Sequence, residues 1–385
     1  MTRDHRFHLH LLVVTNVAHW TRDGAIYAYE PYSREVEVWA ALFSRVTVYA
    51  PRGVGEMRGN LAPYKSPNVK WIAFDYNTLG IDGKARAQRL LQLPSLIGTL
   101  HRLVGEADLV QLRSPSHPAL MGRLLARVRR KNAITKWAGY FGPYDGERIP
   151  RRVERLLIER ERWPALVYGP ASRPHLVSFI PALMSNAELQ HALEISKDKK
   201  WTSPWKILSV GRLTPVKGFD LALAGLAALR QHRPDLEWSY TLVGDGKSAN
   251  ELRDQAARLG IADRVAFPGA LPFLEAQKYY GDAHVVIMPG HQEGWPKPIA
   301  EAWAHGAVPV AAKGGIVPWI IENGGTGRVF RPEPRALADA LAELLDGAAE
   351  MRAQGERGYS AVRDLSLEVF AERLERVLVE RCGLT

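Results

Sequence analysis

At 385 residues the chain is long enough for two domains, each burying a sizeable core. Its single cysteine, Cys382, excludes a disulfide framework and points to a reducing cytoplasm. No stretch approaches the roughly 18 apolar residues a membrane-spanning helix needs. The formal charge of +10 is concentrated: residues 1–185 hold 27 Lys and Arg against 15 Asp and Glu, a net of +12, and residues 186–385 hold 24 against 26, a net of −2. A basic half implies an anionic partner (a lipid headgroup surface, a diphosphate-linked acceptor or nucleic acid) or a charge set by solubility alone.

In chain order, the start has too short an apolar run and too many histidines for a signal peptide, and Leu11 to Thr15 reads as a buried first strand. Asn16 to Arg22 reads as a loop, and Asp23-Gly24 precedes a helical segment running to Phe43, followed by a strand over Val46 to Ala50. This makes one βαβ unit, the building block of a doubly wound sheet. Gly24 fits either a close backbone approach to a ligand or a plain turn. His8 and His10 share one face of an extended segment, and His5 precedes them. With no cysteine or carboxylate to complete a metal set, edge-strand histidines are the expectation there.

Residues 108–131 repeat the strand, polar loop and helix, with Arg113, Ser114 and His117 at the carboxyl end of the strand. The next strand, Ala133 to Trp137, runs into Ala138-Gly139-Tyr140. Residues 148–163 (RIPRRVERLLIERERW) form a basic amphipathic helix, which either packs on its own domain or lies on an anionic membrane surface. Residues 89–104 resemble it but are interrupted by Pro94. The polar stretch 184–204 separates the two charge regimes and is expected to be the linker between a domain of residues 1–183 and one of residues 205–365.

Trp205 to Val210 opens the second domain as a strand ending in Gly211-Arg212, and Lys217-Gly218 precedes a helix from Phe219 to His232. Two cations and two glycines between a strand and a helix N-terminus suit a diphosphate, because backbone N–H groups donate and the cations neutralise charge. Gly246-Lys247-Ser248 lacks the glycine at 241 that a P-loop needs, and no G-x-G-x-x-G follows the first strand. Val265 to Leu271 gives a further strand with a turn at Gly269. Val285 to Ile287 is a buried strand that stops at Pro289-Gly290, and Pro296 or Pro298 then opens a helix. Glu293 and Glu301 bracket that turn with seven residues between them, at the carboxyl edge of the sheet, where such sheets bind ligands.

EGWPKPIAEAWAHG over residues 293–306 resembles the E-x7-E signature of retaining glycosyltransferases of family 4. VGRLTPVKG at 210–218, GAVPVAA at 306–312 and GGTGRVF at 324–330 extend the resemblance, in order, over most of residues 205–345. The resemblance implies a GT-B fold: an α/β protein with two Rossmann-like, doubly wound domains facing across a cleft. The first would bind the acceptor and be completed by a C-terminal helix over residues 366–385; the second would bind the donor. It implies transfer of a sugar from a UDP- or GDP-sugar to an acceptor hydroxyl with retained configuration, without cofactor, metal or covalent nucleophile.

Arg212 and Lys217 then bind the donor diphosphate, helped by Gly211. Glu293 holds the donor sugar, Glu301 the ribose and Gly269 the base; Gly294, Trp295 and Lys297 complete the donor site. Gly24 faces the diphosphate from the first domain. The chain departs from the family pattern at Pro296, where glycine is usual, and at Ala138, where many relatives have a histidine; His117 either reaches the same space from the neighbouring strand or is a satisfied loop histidine. A lipid-linked or anionic glycan acceptor and the inner face of an anionic membrane are the implied partners, with no nucleic acid. Glycolipid, lipopolysaccharide or exopolysaccharide biosynthesis is the implied setting. A sugar-nucleotide epimerase of the same fold and a non-catalytic partner subunit are the alternatives.

Overall fold

The computed structural model describes residues 6–55, 57, 61–75, 83–144, 147–179, 184–290, 294–322 and 325–385. The chain forms two compact units, one of Met1–Pro181 with Phe370–Thr385 and one of Ala182–Val369.

In the first unit the elements are β1 (Phe7–Val14), β2 (His19–Arg22), β3 (Ala25–Tyr29), α1 (Glu30–Leu42), β4 (Phe43–Pro51), β5 (Leu61–Pro63), β6 (Val69–Phe74) and α2 (Gly83–Glu106). They continue as β7 (Leu109–Ser114), α3 (His117–Val128), β8 (Asn132–Tyr140), α4 (Ile149–Glu159), β9 (Ala165–Tyr168) and β10 (Leu176–Ser178). Seven strands form a parallel sheet in the order β10-β9-β8-β7-β1-β4-β6. Leu11 to Val14 are fully buried, as a strand covered on both faces requires. β1 pairs with β7 on one side and β4 on the other, so the strand order reverses there and opens a crevice at the carboxyl edge.

Residues 19–29, expected as the end of a loop and the start of a helix, form two strands about a tight turn. β2 and β3 are an antiparallel hairpin that β5 extends into a small sheet. Asp23 (φ 50°) and Gly24 (φ 75°) are its two turn residues. Two consecutive left-handed residues give the turn whose twist matches a tight hairpin, and Asp-Gly is a preferred pair for it. The helix begins only at Glu30, with Pro31 in its first turn.

The second unit holds α5 (Asn186–Ser196), β11 (Trp205–Val210), α6 (Phe219–His232), β12 (Trp238–Val243), α7 (Ala249–Arg258), β13 (Val265–Gly269), α8 (Phe273–Asp282), β14 (Val285–Met288) and α9 (Lys297–Ala304). After these come β15 (Val308–Ala312), α10 (Val317–Glu322), β16 (Arg328–Phe330), α11 (Pro334–Asp346) and α12 (Ala348–Arg363). Its parallel sheet runs β13-β12-β11-β14-β15-β16, with the reversal at β11. One face packs on α6 and α11 through Leu223, Leu226, Leu337 and Leu341, all fully buried.

Residues 184–204, expected as a linker, instead contribute α5 to the second unit. Its polar start is a capping box: the Ser185 hydroxyl accepts from the Glu188 N–H, and the Glu188 carboxylate accepts from the Ser185 N–H. The last helix, α13 (Leu367–Cys382), starts in the second unit, where Leu367 N–H donates to Met184 O at 2.9 Å. Its remainder belongs to the first unit, with Phe370 packed edge-on against Phe179 at 4.9 Å. Two parallel α/β units are thus the architecture expected from the sequence, that of the GT-B class.

Candidate functional site

The carboxyl edge of the second sheet is built around two neighbouring strands. β11 ends at Val210, and the loop beyond it is held by the backbone of the next strand's loop. Gly211 N–H donates to Val243 O at 3.0 Å, Leu213 N–H to Asp245 O at 2.9 Å and Ser248 N–H to Leu213 O at 3.0 Å. A short 3-10 turn over Pro215–Lys217 then leads to Gly218, whose φ of 67° and ψ of 23° are left-handed. Gly218 is the N-cap of α6, and no side chain caps that helix. The loop therefore brings exposed Arg212 and half-buried Lys217 to the positive end of a 14-residue helix.

β14 lies beside β11, and the chain after it supplies the opposite wall. A Cβ at Gly218 would come within 2.9 Å of the Pro289 carbonyl oxygen, so only a glycine lets these two loops touch. Beyond Pro289-Gly290 the chain reaches Gly294 and Trp295, both half-buried, and Pro296 is the N-cap of α9. Trp295 Nε1 is buried, with no hydrogen-bond partner among the described residues. Lys297 starts α9, and Glu301 lies one turn further, where the Tyr280 hydroxyl donates to its Oε2 at 2.6 Å. On the other flank Gly269 ends β13 at φ 87°; its carbonyl accepts from Gly244 N–H at 2.9 Å, and a Cβ there would meet open space. Gly211, Arg212, Lys217, Gly269, Gly294, Trp295, Lys297 and Glu301 therefore lie along one edge of one sheet. Glu293 falls outside the described residues.

Gly24 and His117 belong to the first unit. Gly24 is at the tip of the β2–β3 hairpin. His117 is exposed at the first position of α3, behind the Ser116 cap. Arg113, at the carboxyl end of its strand, turns inward: its guanidinium lies over the Tyr32 ring at 4.8 Å and pairs with Glu35 at 3.5 Å. Lys136 completes the cluster; it is fully buried, 3.9 Å from Glu35, and its ammonium lies over the rings of Tyr168, Phe179 and Phe370. Burial pulls its pKa down to about 8, although Glu35 opposes the shift. The legible signal for this cluster was a lysine inside the apolar strand Ala133 to Trp137.

Both ring nitrogens of His10 face protein oxygens, 2.8 Å from Thr47 Oγ1 and 3.1 Å from Glu106 O. His5 lies outside the described residues. Among the described residues no group of three or more His, Cys, Asp or Glu is placed to hold a metal ion.

The basic helix α4 turns two of its arginines onto its own unit. Arg151 pairs with Glu147 and with the Tyr140 carbonyl, and its guanidinium covers the rings of Trp137 and Tyr144. Arg155 is buried, donating to Glu147 and to Glu159, each at 2.9 Å. The outward face carries Ile149 (76% exposed) and Val153 (49%), with Arg148, Arg152 and Arg160 beside them. No helix among the described residues is long and apolar enough to cross a membrane.

Residues 192–361 match the sequence model of the family described as glycosyl transferases group 1. The chain is 34% identical over 188 residues to a D-inositol 3-phosphate glycosyltransferase of Thermobispora bispora, covering 44% of each chain. It is 26% identical over 295 residues to a GDP-mannose-dependent alpha-(1-6)-phosphatidylinositol monomannoside mannosyltransferase of Mycolicibacterium smegmatis, covering 70% of this chain and 76% of that one. The chain spans less than half the length of the inositol-phosphate glycosyltransferases it matches, 44% of one and 37% of another. In fold it is similar to Anabaena HepE, solved in complex with UDP and glucose, with a TM-score of 0.69 at 17% identity over 96% of this chain and 99% of that one.

Proposed function

We propose that this chain is a retaining glycosyltransferase of the family 4 type, moving a sugar from a UDP- or GDP-sugar to an acceptor hydroxyl. The observation that carries the reading is the pairing of two loops at the reversal point of the second sheet. One brings Arg212 and Lys217 to the start of α6; the other, in contact with it at Gly218 and Pro289, leads to Glu301 on α9. Two cations and a helix N-terminus suit a diphosphate, and a carboxylate one turn into the neighbouring helix α9 suits the diol of a ribose. The family match over residues 192–361 covers this same region.

In the proposed reaction the bond from the anomeric carbon to the diphosphate breaks, and the departing oxygen's charge is stabilised by Arg212, Lys217 and the helix end. The acceptor hydroxyl attacks from the face the diphosphate leaves, and a diphosphate oxygen takes its proton. Catalysis is then positioning together with electrostatic stabilisation of the leaving group, with no metal required. Glu293 and Trp295 hold the donor sugar, and the first unit takes the acceptor, with Gly24 and His117 on that side.

A lipid-linked or anionic glycan acceptor presented at a membrane is the partner we propose. The net +12 of residues 1–185 and the apolar-and-arginine face of α4 support it. The test has two steps. UDP or GDP should raise the melting temperature, since a ligand that binds only the folded state stabilises it. Incubation with the matching nucleotide sugar and a lipid-extract acceptor should yield a glycoside with the donor's anomeric configuration, read by NMR. Inverted product, or conversion of the sugar nucleotide in the absence of acceptor, would overturn the proposal.

A further inference from the structure

Glu301 sits on α9, after β14, and Tyr280 on the last turn of α8, before it. Strand β14 thus holds the two helices so that the Tyr280 hydroxyl meets Glu301 Oε2 at 2.6 Å. That separation is typical of a hydroxyl donating to an ionised carboxylate, which is among the stronger neutral-to-charged hydrogen bonds.

Tyr280 is held from every side. It is 2% exposed and packs with Leu208, Val243, Val286 and Ala302. Its ring lies nearly parallel to that of His305, with centroids 5.5 Å apart and planes 20° apart. His305 is fixed in turn: its Nδ1 donates to the Glu301 backbone carbonyl at 2.8 Å, and its own carbonyl accepts from Lys199 Nζ at 2.8 Å. Burial holds His305 neutral, drawing its pKa down to about 4. Burial and the charge of Glu301 push the Tyr280 phenol well above its usual range, so it remains a donor at any working pH.

From this geometry we infer that Tyr280 is a positioning residue, selecting the one Glu301 rotamer that presents its carboxylate to the ribose diol of a nucleoside diphosphate. A glutamate on a helix otherwise samples several rotamers, and ordering it at the moment of binding would weaken affinity. The tyrosine orders it in advance. This inference rests on the proposed reading of Glu301 as the ribose ligand.

Four proteins test it: wild type, Tyr280→Phe, Glu301→Ala and the double variant. Titration calorimetry gives UDP and GDP affinity, and steady-state kinetics give KM and kcat for the nucleotide sugar. Tyr280→Phe keeps the ring on His305 and removes only the hydroxyl. It should weaken nucleotide binding and raise donor KM about tenfold, with kcat at saturating donor within about twofold of wild type. In the Glu301→Ala background the same change should cost nothing further, because its effect passes through the missing carboxylate. Equal losses in both backgrounds would mean a merely structural tyrosine and overturn the inference. Wild-type affinity in Tyr280→Phe alongside weakened affinity in Glu301→Ala would also overturn it, leaving the ribose reading intact. Unchanged affinity in Glu301→Ala would remove the ribose reading and this inference together.

Discussion

Gly218 lies against the backbone of Pro289: a Cβ on the glycine would sit 2.9 Å from the proline carbonyl oxygen and 3.1 Å from its carbon. The same residue has a φ of 67° and caps α6. Two loops that are far apart in sequence therefore depend on one missing side chain, and backbone rather than a flexible side chain would have to give way.

Gly218→Ala should for this reason be costly in two ways. A left-handed non-glycine residue and the contact with Pro289 together should lower stability by about 2 kcal/mol or more. Nucleotide binding should weaken as the Arg212–Lys217 loop is pushed off the Pro289 loop. Thermal melts with and without UDP or GDP check both effects. A variant that melts and binds as wild type would show that the two loops are not held together as described.

Arg212→Ala and Lys217→Ala should each lower turnover about 10²-fold or more if their charges stabilise the departing diphosphate. A chelator should leave turnover unchanged. Near-normal rates in both variants, or complete loss of activity with chelator, would rule out the electrostatic mechanism proposed above.

His19 should make stability fall in mild acid. It is fully buried, its Nδ1 donates to Val17 O at 2.8 Å, and its Nε2 accepts from the Tyr64 hydroxyl at 2.8 Å. Burial draws its pKa from 6.5 down to about 4, against the opposing effect of the Val17 carbonyl. Between those two values the unfolded chain binds a proton that the folded one does not, so stability rises with pH across this window and is lost as pH falls through it. His19→Gln, compared with wild type in melts from pH 4 to pH 7, should show a shallower dependence. An identical slope would mean that His19 protonates freely in the fold.

For the membrane, the outward face of α4 gives the expectation. Ile149→Glu with Val153→Glu should weaken binding to anionic vesicles while leaving UDP or GDP affinity unchanged, since both lie in the other unit from the proposed nucleotide site. Binding should also fall with salt, because the Debye length is about 8 Å at physiological ionic strength. Arg151→Glu and Arg155→Glu should act differently, losing stability through repulsion with Glu147. Sedimentation with vesicles in low and high salt distinguishes these outcomes. A wild-type protein that ignores anionic vesicles at low salt would point to an acceptor in solution.

Much of the architecture was legible in the sequence because its causes are local. β-branched and aliphatic runs such as Val285 to Ile287 specify buried parallel strands, prolines mark the starts of α1, α4 and α9, and the glycines around Arg212 and Lys217 announce a turn built for close approach. The β2–β3 hairpin too is encoded locally, in Asp23-Gly24 between residues that pair across it. What only the tertiary structure decided is where long polar side chains turn. The sequence shows residues 148–163 only as basic and amphipathic; Glu147, Trp137 and Tyr144 give Arg151 and Arg155 inward partners and leave Ile149 and Val153 outside. The placement of Lys136 beside Glu35 and of Tyr280 beside Glu301 has the same origin. A buried charge goes where a partner waits, because burial without one costs several kcal/mol, and folding brings that partner from a part of the chain that local patterns do not reach.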